Sequence, residues 1–212
     1  MARRRIYYAH FRRALDSEPL KPVYVFSGAE AFLREEGIQA VIAKALPPAE
    51  RQLNLEVLYA GADTTGRAAR ERAETLPFFA SRRVVLVRQA ERWRPADLAA
   101  AGEYAAAPAD TAILILESQE ERLKQAAWKT LAERAYHVEC YPLFDNQVPE
   151  WVARRAHVHG KRIERDAVAR LIERTGPSLG DLDNELSKLV TYLGVREKIT
   201  AEDVRDLAGH TR

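Results

Sequence analysis

The run Val23-Tyr24-Val25-Phe26 leads into Ser27-Gly28-Ala29-Glu30-Ala31-Phe32-Leu33, a strand-to-helix setting in which a nucleoside triphosphate could be held. Holding phosphates there needs several backbone N–H groups on a glycine-rich turn, a Lys for the β/γ-phosphates and a Ser or Thr for magnesium. The segment has one Gly, no Lys and no following Ser or Thr. Glu30 places negative charge where a phosphate would sit and would repel it. The only Gly-Lys pair, Gly160-Lys161, runs on into Arg162, and Arg88-Gln89 stands where a magnesium-binding acidic pair would follow the strand Val84 to Val87. Three separate parts of an ATPase site are missing, which argues against nucleotide hydrolysis.

Other chemistry is no better supplied. His157 and His159 are two apart, so on a helix they point to different sides and do not form a joint metal site. Cys140 lies within the apolar run Tyr136 to Leu143, the pattern of a buried strand thiol rather than a nucleophile. Glu120-Glu121 reads as surface helix charge. The expectation is therefore of no catalytic residue, no cofactor and no metal.

What stands out is Leu76-Pro77-Phe78-Phe79, followed by Ala80-Ser81-Arg82-Arg83. Pro77 ends the preceding helix, so Leu76, Phe78 and Phe79 fall on a short turn ahead of an apolar strand. Aromatic anchors dominate interface energetics, so a turn of this kind is a candidate grip on another protein. The same residues could fold back as a plug under the sheet. Residue chemistry leaves the two readings level, with one ring inward and one outward as a third arrangement.

The elements that would carry this turn alternate in period. Apolar strand runs are expected at Val23–Phe26, Leu53–Tyr59, Val84–Val87, Ala112–Leu116 and His137–Cys140. Helices are expected at Ile6–Leu15, Glu30–Leu46 (stopped by Pro47-Pro48), Thr64–Thr75, from Pro95 through Tyr104, and Glu121–Ala135. Strands alternating with helices imply βαβ units and a mainly parallel five-stranded sheet covered on both faces. From about Pro142 the character changes and no further strand is evident. Trp151–His159 and Asp166–Arg174 are helical, the latter closed by Gly176. Leu179, Leu182, Leu186, Leu189 and Leu193 form one apolar stripe, and Thr200 with Asp203 resembles a capping box for a last helix. The expected division is an α/β domain over 1–143 and a small all-helical domain over 144–212.

Composition sets wider bounds. A hydrophobic fraction of 47% and a charged fraction of 30% over 212 residues permit a packed core. The net charge of +2 is too balanced to argue for nucleic acid by itself. The one basic cluster is Arg3, Arg4, Arg5, Arg12 and Arg13, more often a solvated helix face than a phosphate contact. A single cysteine rules out an internal disulfide framework, and no apolar stretch nears the length of about 20 residues that a membrane helix needs. Both suit a cytoplasmic protein.

Several segments, in order, resemble the delta subunit of the bacterial DNA polymerase III clamp loader. They are Val23 to Leu33, Leu53-Asn54-Leu55-Glu56-Val57, Leu76 to Val85, Ala112 to Ser118, Trp151-Val152, Leu182-Asp183-Asn184-Glu185-Leu186-Ser187-Lys188-Leu189 and Ile199 to Val204. The resemblance covers essentially the whole chain, and its most specific parts are the Pro-Phe-Phe segment and the Asn-Glu-Leu-x-Lys-Leu helix. It implies an AAA+/RecA-like α/β domain without a working ATP site, followed by a lid-like helical domain. It also implies that Phe78 and Phe79 enter a hydrophobic pocket on the sliding clamp (the beta subunit), with Leu76 as a flanking contact and the member nearest to a structural role. The function implied is clamp opening for loading onto primed DNA, non-catalytic in itself, within a DNA-directed DNA polymerase holoenzyme. Other clamp-loader subunits are implied partners, and DNA is contacted indirectly or weakly. An active ATPase of the same superfamily and a DNA-binding adaptor using the arginine cluster are the alternatives. Family members continue into a helical collar that holds the loader pentamer. This sequence stops at Arg212, so clamp binding rather than stable pentamer assembly is what it is expected to retain.

Overall fold

The computed structural model describes residues 6–61, 64–120 and 126–209. The chain divides by its internal contacts into two units, Met1–Pro142 and Leu143–Arg212.

In the first unit the strongest apolar runs become the middle of a sheet. Its elements in chain order are β1 (Ile6–Tyr7), α1 (Tyr8–Ser17), β2 (Val23–Ser27), α2 (Ala31–Ala45), α3 (Arg51–Asn54), β3 (Leu55–Tyr59), α4 (Gly66–Glu74), β4 (Arg83–Arg88), α5 (Pro95–Ala106), β5 (Ala112–Ser118), α6 (Ala126–Arg134) and β6 (Tyr136–Glu139). All strands are parallel, in the order β1-β6-β2-β5-β4-β3. Every residue of β2 and β5 is buried, as expected of central strands covered by helices on both faces.

Alternation along β2 splits the core. Tyr24 and Phe26 face one layer, where Phe11 of α1 meets Phe26 edge to face at 5.2 Å. A Cβ on Gly37 would stand 2.5 Å from the Phe26 ring, so glycine is what lets α2 lie against it. Val23 and Val25 face the other layer, with Val85, Val87, Leu114, Leu116, Trp93, Leu98, Tyr104, Trp128 and Leu131.

The sheet has six strands, not the five expected. Ile6–Tyr7, read as the start of a helix, pairs instead with β6, Ile6 opposite Val138. Two residues are too few to show a strand period, so only the partner strand reveals them. Similarly, Leu53 and Asn54 close the short helix α3, and the strand begins at Leu55.

The second unit contains α7 (Val148–Val158), β7 (Arg162–Ile163), α8 (Arg165–Thr175), α9 (Leu179–Leu193), β8 (Lys198–Ile199) and α10 (Ala201–Gly209). All five leucines of the stripe on α9 are buried. Thr200 and Asp203 form the reciprocal cap of α10: Thr200 N–H donates to Asp203 Oδ2 at 2.8 Å and Asp203 N–H to Thr200 Oγ1 at 3.3 Å. The expectation of an all-helical unit is corrected by β7 and β8, which pair in parallel. Each is again only two residues long. Among the described residues no helix is long and apolar enough to cross a membrane.

Candidate protein-binding site

Thr65 caps α4 by accepting from Ala68 N–H at 3.1 Å, and the helix ends at Glu74, three residues before Pro77. β4 does not begin until Arg83. The intervening turn presents Leu76, Phe78 and Phe79 with 76%, 55% and 91% of their surface exposed. None of the three is a core plug, and Leu76, expected to be the most structural, is more exposed than Phe78. Three large apolar groups exposed within four positions exceed the scattered exposure normal on a surface.

The turn is anchored at its tip and at both stems. Asn54, at the end of α3 and 1% exposed, holds both polar backbone groups of Phe78. Phe78 N–H donates to Asn54 Oδ1 at 2.7 Å, and Asn54 Nδ2 donates to Phe78 O at 2.9 Å and to Glu50 O at 3.1 Å. Glu56 on β3 accepts from Arg83 at 2.5 Å, where β4 starts, and meets Arg72 of α4 at 3.5 Å. Thus the segment just before β3 and the start of β3 fix the turn from below.

Phe79 has φ of 48°, in the left-handed region. For a bulky residue this costs on the order of 1–3 kcal/mol and persists only where surrounding structure imposes it. It has a visible consequence. Neighbouring side chains of an extended chain point apart, but here the Phe78 and Phe79 rings meet edge to face, centroids 4.6 Å apart at 86°. The turn therefore offers one joined aromatic pair with Leu76 beside it.

At the opposite end of β2, the place where an α/β sheet binds nucleotide is filled by the protein's own charges. Glu30 caps α2 by accepting from Phe32 N–H at 3.0 Å, so a carboxylate already meets that helix N-terminus. A Cβ on Gly28, whose φ is 124°, would lie 2.1 Å from the Cys140 carbonyl oxygen, so the loop is pressed against the end of β6. Arg34 of α2 pairs with Glu117 of β5 at 2.9 Å and also donates to the Gly28 carbonyl. The other Glu117 oxygen accepts from Gln89 N–H at 3.2 Å. An open cleft of about 280 Å³ remains, with Arg34, Glu35, Tyr59, Arg88 and Glu117 among its lining residues. Arg88 and Glu35 are themselves paired at 2.6 Å. Cys140 is buried, and burial pushes its thiol up to about 12.

The remaining candidates are dispersed. Arg3, Arg4 and Arg5 lie outside the described residues, while Arg12 and Arg13 sit on α1. His159 bonds to Asp183 at 3.0 Å, and Asp183 also takes Arg155. Among the described residues, no three His, Cys, Asp or Glu side chains gather as a metal site.

Two features escaped the sequence reading. Asn54 was hidden inside an apparent strand, and its only sign was a polar residue between Leu53 and Leu55. The Arg34–Glu117 pair had a clearer sign, a lone acid following the apolar run Ala112 to Leu116.

Comparison with known proteins agrees with this architecture. The family described as "DNA polymerase III, delta subunit" matches over residues 24–141. The DNA polymerase III subunit delta of Bacillus subtilis is 25% identical over 209 residues, covering 94% of this chain and 60% of that protein. Among solved structures, the DNA clamp loader delta protein of Bacillus subtilis superposes with a TM-score of 0.74 at 23% identity, covering 94% of this chain and 62% of that one. The RuvB Holliday junction branch migration motor of Thermotoga maritima shares the fold more distantly, with a TM-score of 0.56 at 15% identity over 94% of this chain and 65% of that one. The chain thus spans about three-fifths of the length of its delta relatives.

Proposed function

Because this chain belongs to the DNA polymerase III delta-subunit family, we propose that its α/β unit grips the sliding clamp through Phe78, Phe79 and Leu76 and helps to open the ring for loading onto primed DNA. The observation that carries this reading is the anchored, exposed aromatic pair on a turn whose backbone is already held in place.

The energetics are of the right size. Fully burying each of the three side chains contributes roughly 1.5–3 kcal/mol, or about 4.5–9 kcal/mol in all. Micromolar binding corresponds to about 8 kcal/mol, and association itself is costly. The turn can therefore anchor a contact, while a tight complex needs further surface around it. Opening the ring requires tighter binding to the open clamp than to the closed one, since equal affinity for both shifts nothing. The partners proposed are the clamp and the other loader subunits, with DNA contacted indirectly, in the cytoplasm.

The test is direct binding of the chain to the sliding clamp by surface plasmon resonance, compared with a Phe78→Ala/Phe79→Ala variant. Loss of two anchors is expected to weaken binding by at least about 100-fold, at roughly 1.4 kcal/mol per tenfold. A folded variant that binds like the parent would refute the site.

A further inference from the structure

We infer that Asn54 is a positioning residue for clamp binding: it touches no partner itself but presets the backbone from which Phe78 and Phe79 project. This inference rests on the clamp-binding reading above.

One side chain satisfies both backbone groups of Phe78, giving a closed two-bond ring that imitates a strand bridge. Its amide orientation follows from the network, because turning it over would set Nδ2 against an N–H and Oδ1 against a carbonyl. The third bond, to Glu50 O, ties the amide back to the turn just before α3, so all its strong polar contacts are within the protein. Asn54 is buried, whereas the residue it holds is half exposed and the next one almost wholly so. The bridge also acts next to the left-handed Phe79, the conformation that brings the two rings together. Residues 75–80 lie in neither helix nor strand, and these two bonds tie the tip of the turn to α3. A helix-stabilising role alone would need only the bond to Glu50 O. The two bonds to Phe78 span 24 residues of sequence and serve the turn.

Without the bridge the turn must be ordered at the moment of binding, which lowers affinity without removing any contact. The experiment uses the whole chain with the purified sliding clamp and three variants: Asn54→Ala, the smaller polar Asn54→Ser, and Phe78→Ala/Phe79→Ala. Clamp affinity is measured by surface plasmon resonance on protein shown to be folded by circular dichroism. Chymotrypsin cleavage after Phe78 or Phe79 is timed in parallel, without clamp. Asn54→Ala is expected to weaken clamp binding about tenfold and to raise cleavage at the turn by a similar factor, since one ordering event governs both. Asn54→Ser keeps a small polar side chain that is too short to bridge Phe78, adds no charge, and is expected to behave alike, which keeps the test decisive if the alanine variant does not fold. Parent-like affinity in the folded Asn54 variants, with the double Phe variant still defective, would overturn the positioning role and leave the clamp site intact. Weakened affinity with unchanged cleavage would also overturn it. Parent-like affinity in the double Phe variant would overturn the clamp site and the positioning role together.

Discussion

Replacing Arg34 with alanine is expected to destabilise the α/β unit by about 3–5 kcal/mol, the range for removing one partner of a buried ion pair. Both side chains of the Arg34–Glu117 pair are only 7% exposed. Without Arg34, Glu117 keeps the bond from Gln89 N–H and a weaker attraction from Arg88, but loses the guanidinium paired with it, and its charge is left poorly compensated. The Gly28 carbonyl loses its guanidinium donor as well. Against a typical total stability of about 5–15 kcal/mol this is a large fraction. The penalty lies in the stranded charge rather than in lost packing. An Arg34→Met/Glu117→Leu double variant removes both charges, leaves apolar groups of similar bulk, and should be far less damaged than the single variant despite having two changes. The assay is urea unfolding, with hydrogen exchange at the amides of β2 and β5 to isolate the first unit from the second. A single-variant loss below about 1 kcal/mol, or a double variant at least as unstable as the single, would refute the stranded-charge account.

Two further outcomes follow from the geometry. Cys140 is buried and its thiol is pushed up to about 12, so an Ellman-type reagent should label it only at the rate at which the native state opens, and at once in denaturant; fast labelling of the folded chain would contradict the packing. Burial raises the Asp183 carboxyl, but Arg155 and His159 outweigh it and hold the group below its ordinary value. The unfolded chain therefore binds more protons in that window, and the contribution of this group is present above the ordinary carboxylate value of about 3.9 and lost as pH falls through the lower folded value. Asp183→Asn should lower stability at neutral pH and flatten the acid end of the stability curve for the second unit; an unchanged acid limb would count against this assignment.

The Arg34–Glu117 pair also shows where sequence reading reached its limit at the nucleotide-like end of the sheet. The missing Lys and the misplaced acid were visible in Ser27 to Leu33. What replaced a phosphate was not, because Arg34 and Glu117 are 83 residues apart. A charged residue in a helix pattern looks solvated until its partner is known. The Phe turn divides in the same way. Its apolar residues and its proline were legible, yet a turn that grips and a turn that plugs have the same composition. Exposure is a property of what else is packed nearby.

By itself the sequence determined whatever repeats or runs long enough to carry a period. The buried central strands come from unbroken apolar runs, and α9 comes from leucines at steps of three and four, because each pattern suits only one burial geometry. The cap at Thr200 and Asp203 is equally local. Tertiary structure alone decided β1, β7 and β8, each two residues long and defined by a distant ladder partner. It alone decided that Leu76, Phe78 and Phe79 face outward, and that Asn54 reaches across 24 residues to hold them. Local pattern records which face of an element is apolar, whereas pairing between distant residues is chosen only when the whole chain closes around them.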